Sequence, residues 1–309
     1  MSRFKFMRFL AVPLAVAFIA ACGSNGAPPA ASTSSFPLTL TTSKGPVTLT
    51  HKPSRIVSLS PTATEDLFAV GAGKQVVAVD SYSIYPAEAP VTSLSGYTPN
   101  VEAIAGYQPD LVLTADDTDK LFEQLAKLQI PVLIEPAATD LNGVYAEINQ
   151  IAQATGHSAQ AASVVSGIQQ QVKAIVRSVH APAKPLKVYH ELDQTYYTPT
   201  SNTFIGQMYK LLGIQNIADG AGGGNDYPQL SAEYIISSNP DLIVLADTVC
   251  CGQTLATVAA RPGWSAISAV RTRSVVPVED AIASQWGPRI VMFLKAVADA
   301  LKALEGSTA

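Results

Sequence analysis

Tyrosines and one tryptophan recur in loops that we predict to follow β-strands. Tyr82 and Tyr85 come just after an apolar strand predicted at residues 76–79, and Trp286 follows Gln285 in a loop near the C-terminus. Other tyrosines expected in comparable loops are Tyr97, Tyr196, Tyr197 and Tyr227. Because open parallel sheets bind ligands at the carboxyl ends of their strands, the pattern predicts a cleft with aromatic walls, suited to a large, flat, semi-polar ligand. For any single tyrosine, the alternative is a partly buried loop residue with a hydrogen-bonded hydroxyl.

Catalytic and metal-binding patterns do not stand out in the sequence. The hydrolase motif G-x-S-x-G does not occur, and the glycines at 220–224 lack the strand-to-helix setting of a dinucleotide-binding loop. The four histidines are few and mostly outside the predicted cleft: His51, His157, His180 and His190. We therefore predict a binding protein that is not an enzyme and has no resident metal or cofactor.

Two neighbouring cysteines, Cys250 and Cys251, allow two interpretations. Adjacent Cα atoms lie about 3.8 Å apart, below the usual disulfide range of about 4.4–6.8 Å, so a bond between them would be strained. A disulfide between neighbours is nevertheless plausible in an exported protein. The alternative is a pair of free or partly buried thiols, and we assign the pair no chemistry.

The elements that position these residues are repeated along the chain. Residues 101–116 and 232–247 each contain a short helix opened by a glutamate (Glu102 and Glu233), then Pro-Asp, then an apolar strand. Since proline ends a helix and an apolar run without alternation is typical of a doubly covered strand, each unit is a helix followed by a buried strand. The duplication predicts two similar α/β lobes, each with a carboxylate at an equivalent surface point.

Long helical patterns lie between the two units, at residues 141–155 and 158–180. The second carries an apolar stripe at spacings of three and four residues, so we predict one helix that bridges the lobes and limits hinge closure. The predicted N-terminal lobe covers residues 41–157, the connecting helix 158–180 and the C-terminal lobe 181–309. At the start of the first lobe, a helix capped by Thr62 or Thr64 would hold Glu65 in its first turn.

The N-terminus indicates export. Arg3, Lys5 and Arg8 precede an apolar run that is shorter than a membrane span and ends at Cys22, so residues 1–21 are predicted to be a signal peptide. The sequence before Cys22 resembles a bacterial lipobox, which predicts lipidation of Cys22 and a flexible tether at 22–40; an ordinary signal peptide cut elsewhere is the alternative. Removing the leader changes the net charge from −4 to near −7, which makes nucleic acid an unsuitable partner.

From about Lys52 onwards, the chain resembles the substrate-binding lipoproteins of ABC importers for vitamin B12, ferric siderophores and haem. The stretches responsible are RIVSLSPTATE (55–65), SYSIYP (81–86), RPGW (261–264), GPRI (287–290) and both Glu…Pro-Asp units. The resemblance implies two Rossmann-like α/β lobes with mostly parallel sheets, one connecting helix and a ligand cleft between the lobes. It also implies that Glu102 and Glu233 dock on arginines of the permease and that Tyr82 and Tyr227 contact the ligand.

The resemblance also implies that the loop at 285–286 closes the pocket. Vitamin B12 binders carry acidic and basic contacts in this loop, whereas the chain reads AIASQW at 281–286. We therefore expect a monomeric, lipid-anchored, extracytoplasmic binder of cobalamin or another corrinoid that partners an ABC permease. Ferric siderophore or haem binding is the alternative, followed by divalent-metal binding or a surface role without transport. The expected ligand contacts are Tyr82, Tyr85, Tyr97, Tyr196, Tyr197, Tyr227, Gln285 and Trp286.

Overall fold

Two parallel β-sheets covered by helices organise the chain. The computed structural model describes Met1 and residues 35–180 and 184–308. The predicted signal peptide (1–21) and the lipidation site Cys22 lie outside the described residues and stay predictions. An antiparallel hairpin of β1 (Leu38–Thr42) and β2 (Gly45–Leu49) precedes the sheets. Because β1 begins at Leu38, regular structure starts within the stretch that we predicted to be a tether.

The N-terminal lobe is built on a five-stranded parallel sheet. Its strands are β3 (Ile56–Ser58), β4 (Val76–Asp80), β5 (Val91–Leu94), β6 (Leu111–Thr114) and β7 (Val132–Ile134). Its helices are α1 (Pro61–Ala69), α2 (Val101–Gly106), α3 (Leu121–Ala126) and α4 (Leu141–Thr155). The strand order β5-β4-β3-β6-β7 is the Rossmann order without a sixth strand. Every residue of β6 is buried, as expected for a strand covered on both faces.

The C-terminal lobe is reached through the long helix α5 (Ser158–Arg177). Its sheet contains β8 (Lys187–Glu191), β9 (Gln215–Asn216), β10 (Leu242–Leu245) and β11 (Val275–Pro277). Its helices are α6 (Phe204–Leu211), α7 (Ala232–Ser238), α8 (Thr248–Cys251), α9 (Leu255–Ala259), α10 (Ser268–Arg271), α11 (Asp280–Ser284) and α12 (Ile290–Thr308). The parallel order β11-β10-β8-β9 repeats that of the first lobe without a counterpart of β5. The predicted two-lobed α/β fold is confirmed.

The Pro-Asp pair has the same role in each lobe. The carboxylate of Asp110 accepts a hydrogen bond from the backbone N–H of Arg55 (2.9 Å), and that of Asp241 from the backbone N–H of Lys187 (3.0 Å). The side chains of Arg55 and Lys187 donate in return to carbonyl groups at the ends of α2 and α7. Each unit therefore fixes its helix to the neighbouring strand, β3 or β8, by paired polar contacts.

One apolar core runs through both lobes. α5 packs against α4 on one side and α12 on the other, and its 20 residues span about 30 Å. Ala161, Ile168 and Val172 of the predicted stripe are buried, while the helix ends at Arg177 rather than at His180. The same cluster of buried side chains includes Ile56 of the first sheet and Val188 of the second. This continuity favours small changes of the angle between the lobes. No helix in the described ranges is long and apolar enough to cross a bilayer.

Candidate ligand cleft

A cavity of about 430 Å³ lies between the lobes, at the carboxyl ends of the strands. Its N-terminal wall consists of segments that follow β3, β4, β5 and β6, and its C-terminal wall of segments that follow β10 and β11. Parallel sheets bind ligands at this edge, near the point where the strand order reverses, which in the first lobe lies between β3 and β6. The cavity volume is within the range of about 300–1,000 Å³ that is typical of small-molecule sites.

Tyr82 and Tyr97 form the rim of the N-terminal wall. Their rings pack edge to face with centroids 5.5 Å apart, and the side chains are 60% and 74% exposed. Gly96 permits this arrangement, because a Cβ atom there would lie only 2.3 Å from the carbonyl oxygen of Leu59. Ile84 adds an exposed apolar side chain beside the pair. The rim therefore offers aromatic and aliphatic surface to a ligand that extends out of the cavity.

A buried polar network holds the loop that carries Tyr82. The hydroxyl of Thr64 on α1 lies 3.0 Å from Ser83 Oγ, and the Ser83 hydroxyl donates to the Asp80 carboxylate at 2.6 Å. Burial raises the pKa of Asp80, while the hydrogen bond from Ser83 opposes that rise. The loop is thus fixed to both β4 and α1, which keeps the Tyr82 ring at the rim.

The C-terminal wall contains Cys250, one of the two neighbouring cysteines. Cys250 and Cys251 are joined by a disulfide, which decides between the alternatives that the sequence left open. Val249 and Cys250 line the cavity. The carboxylate of Asp280, the first residue of α11, accepts hydrogen bonds from the backbone N–H groups of Val249 (2.9 Å) and Cys250 (2.8 Å). Asp280 therefore joins the segments that follow β10 and β11 into one surface.

Gln285 and Trp286 complete the wall where the lobes meet. The indole Nε1–H of Trp286 donates to Oε2 of Glu147, a residue of α4 in the other lobe, at 2.8 Å. Oε1 of Gln285 is buried and has no hydrogen-bond partner among the described residues.

The charged side chains that line the cavity are all acidic in the described ranges. They are Asp80, Asp116, Glu279 and Asp280. Sequence reasoning missed them as site residues, although Asp80 ends a strand and the others follow one, so the rule that selected the tyrosines would have found them. In the same ranges, no group of three or more His, Cys, Asp or Glu side chains is arranged to hold a metal ion. An acidic, aromatic cavity favours a neutral or cationic ligand rich in hydrogen-bond donors.

The remaining predicted tyrosines lie outside the cavity wall. Tyr85 packs against the guanidinium of Arg289, 4.0 Å from its ring centroid. Tyr196 stacks on Trp264 in the core of its own lobe, with ring centroids 5.6 Å apart, so the expectation of a ligand contact is corrected to a packing role. Tyr197 and Tyr227 are half-exposed in loops of the C-terminal lobe, and the structure does not bring them to the cavity.

An ion pair crosses from one lobe to the other beside the cavity. The guanidinium of Arg289 donates to Glu65 Oε1 through Nε (3.0 Å) and Nη2 (2.6 Å). Our prediction of Glu65 as a first-turn acid is wrong, as is the capping role of Thr62 or Thr64. Ser60 caps α1, so Glu65 lies in the second turn, where its side chain is buried.

Three further carboxyl groups, Asp66, Glu135 and Glu147, are buried near this pair. Burial raises the pKa of Glu147 to about 8, and burial together with Glu147 raises that of Glu135 to about 9. Burial, followed by the neighbouring carboxyl groups, raises the pKa of Asp66 well above its usual value. Both oxygens of Asp66 have no hydrogen-bond partner in the described part of the chain. At neutral pH Glu135 and Glu147 are therefore mainly protonated.

These raised pKa values predict that the protein loses stability as pH rises. In the unfolded chain, Glu135 and Glu147 lose their protons near pH 4. In the folded chain they retain them up to about pH 8–9. Between pH 6.5 and 9 the folded state binds more protons, so the free energy of unfolding should fall by at least about 2 kcal/mol. Buried His190, with its pKa lowered to about 3, opposes this trend only below pH 6.5. Denaturant unfolding at several pH values measures the slope.

The variant Glu135→Gln tests the origin of that slope. An amide cannot ionise, so the variant should lose less stability than the wild type between pH 6.5 and 9. A stability that is constant or rises over this window would contradict the assignment of protonated carboxyl groups.

Comparison with known proteins agrees with the fold. Residues 56–281 match the family model described as "Periplasmic binding protein". The "Cobalamin-binding protein" of Halobacterium salinarum is 33% identical over 318 residues, covering 97% of this chain and 85% of the relative. The "Uncharacterized ABC transporter substrate-binding lipoprotein YvrC" of Bacillus subtilis is 30% identical over 305 residues, covering 94% and 95%.

A solved structure extends the comparison to three dimensions. The "Periplasmic heme-binding protein RhuT from Roseiflexus sp. RS-1" superposes with a TM-score of 0.71 at 25% identity. The match covers 81% of this chain and 98% of that one. The fold of this chain is therefore also found in a protein named for haem binding.

Proposed function

The chain belongs to the periplasmic binding protein family, and from this membership we propose that it is the solute-binding component of an ABC importer for cobalamin or a related corrinoid. Membership implies an extracytoplasmic location and a binding role rather than catalysis. We further propose that Cys22 is the lipid-anchored N-terminus of the mature protein and that the chain acts as a monomer. The similarity to relatives named for cobalamin over most of the chain supports the cargo.

The composition of the cavity wall is the observation that carries the cargo assignment. A corrinoid is a flat macrocycle whose edge bears amide groups, and each primary amide has two N–H donors. The exposed acidic side chains of the cavity, Asp116 and Glu279, are acceptors for such donors. Tyr82, Tyr97 and Trp286 supply aromatic surface for the apolar parts of the macrocycle.

Haem or a ferric siderophore is the second candidate. Tyrosine phenolates can ligate ferric iron, and the hydroxyl groups of Tyr82 and Tyr97 belong to side chains at the cavity. The negative charge of the cavity wall argues against haem or an acidic siderophore. The propionates of haem, and the acidic groups of many siderophores, would meet carboxylates with no lysine or arginine among the described lining residues.

Delivery to the permease would use the two equivalent glutamates. Glu102 and Glu233 are the second residues of α2 and α7, and both side chains are exposed. Because each helix is fixed to its sheet by the same Asp-to-strand contacts, the two carboxylates have the same local setting in both lobes. A pair of fixed charges of this kind suits docking on a permease built from two similar subunits.

Titration calorimetry of the purified chain with cyanocobalamin, haem and a ferric hydroxamate tests the cargo. We expect cyanocobalamin to bind tightest. Tyr97→Ala should weaken its binding by about 5- to 30-fold, because aromatic contacts of this size contribute about 1–2 kcal/mol. Tyr197→Ala is the matched control, since this tyrosine is outside the cavity wall, and its affinity should stay within about twofold of wild type. Tight binding of haem or the hydroxamate with no response to cyanocobalamin would overturn the cargo assignment.

A further inference from the structure

The indole of Trp286 is held by a residue of the opposite lobe. Trp286 follows α11 in the C-terminal lobe and lines the cavity. Its Nε1–H donates to Oε2 of Glu147 at 2.8 Å, and Glu147 is a residue of α4 that is only 4% exposed. One hydrogen bond therefore connects an aromatic wall of the cleft to the N-terminal lobe.

We propose that Glu147 is a positioning residue for ligand binding, which holds the Trp286 indole in the orientation that forms the cavity wall. The inference rests on the proposed function for its choice of ligand. The indole is partly buried, so without its acceptor the N–H group would have to turn towards water or stay unpaired. Turning towards water would move the flat face of the ring out of the cavity wall, and an unpaired N–H would leave the ring without the bond that fixes its orientation.

The surroundings of Glu147 explain how a buried acid can serve as this acceptor. Its titratable and charged neighbours in the cluster are Glu65 and Asp66 on α1, Glu135 after β7, and Arg289 before α12. Arg289 is already bonded to Glu65, so Glu147 has no ion-pair partner in the described part of the chain. Because burial raises its pKa to about 8, Glu147 accepts from Trp286 mainly as a neutral acid.

Two substitutions separate positioning from stability. Glu147→Leu removes the acceptor but keeps a side chain of similar size. We expect this variant to bind cyanocobalamin about tenfold more weakly and to lose at most about 1–3 kcal/mol of stability, because the indole N–H is left without its acceptor. Glu147→Gln keeps an acceptor oxygen, so its affinity should stay within about twofold of the wild type.

Nitrogen NMR of the indole groups gives a readout that does not need the ligand. The chain has two tryptophans, and Nε1 of the buried Trp264 has no hydrogen-bond partner among the described residues. The Trp264 signal is therefore an internal reference. We expect the Trp286 N–H signal to move upfield in Glu147→Leu, to move much less in Glu147→Gln, and the Trp264 signal to stay in place in both.

Glu135→Leu is the matched control, because Glu135 is an equally buried acid of the same cluster without a hydrogen bond to Trp286. It should bind cyanocobalamin as the wild type does. The proposal is overturned if Glu147→Leu binds normally, if its Trp286 signal does not move, or if Glu135→Leu weakens binding equally. If the wild-type chain binds haem instead of cyanocobalamin, the cargo assignment is overturned. The same comparison of variants, repeated with haem, then still tests the role of Glu147.

Discussion

Replacing Glu102 and Glu233 together by alanine is expected to lower the uptake of labelled cyanocobalamin by at least about 100-fold. Both carboxylates are exposed, and neither takes part in a hydrogen bond or ion pair with another described residue. Charges of this kind contribute little to folding but determine association and register when a partner supplies the opposite charge. Uptake is measured in cells in which the variant replaces the wild-type chain.

The same double variant should bind cyanocobalamin within about twofold of the wild type, because both glutamates are outside the cavity. Each first-turn acid interacts with its helix dipole, so the loss of stability should be at most about 2 kcal/mol in total. Glu123→Ala is the matched control, since Glu123 is also an exposed acid in the first turn of a helix. If Glu123→Ala reduces uptake as strongly, or if the double variant loses ligand affinity, the docking role is wrong.

The duplicated unit shows why the sequence predicted the fold well. Local backbone rules explain a short helix that ends before Pro-Asp and is followed by an apolar strand. The elements α2, β6, α7 and β10 could therefore be predicted from neighbouring residues alone. The contacts that fix these units in the fold could not be predicted from neighbouring residues. Asp110 bonds to Arg55 and Asp241 to Lys187, each across more than fifty residues, and no periodicity in the chain indicates which strand receives the carboxylate.

The cavity was only partly predictable for a related reason. The rule that ligands bind after parallel strands selected Tyr82, Tyr97, Gln285 and Trp286, which line the cavity. It also selected Tyr196, because a sequence does not reveal that the loop after β8 folds back on Trp264. The partnership of Trp286 with Glu147 joins residues 139 positions apart, so it depends on how the two lobes pack.

Replacing Arg261 by methionine is expected to reduce the free energy of unfolding by about 3–5 kcal/mol. The guanidinium bonds to both carboxylate oxygens of Glu191 at 2.6 Å and lies 4.5 Å from the Trp264 ring centroid. The side chain of Glu191 is 0% exposed. Its neighbour Asp247 is also buried, and burial followed by Glu191 raises the pKa of Asp247 to about 7. Without Arg261, the Glu191 carboxylate would have no cation to offset its lost hydration, which denaturant unfolding would register.

The double variant Arg261→Met with Glu191→Leu separates the lost ion pair from lost packing. Removing both charges also removes the buried carboxylate, so the double variant should recover most of the stability lost in Arg261→Met. Arg271→Met is the matched control, because Arg271 is exposed in the same lobe and should change stability by less than about 0.5 kcal/mol. If the double variant is as unstable as Arg261→Met, the stacking of the guanidinium on Trp264, rather than its charge, stabilises this part of the C-terminal lobe.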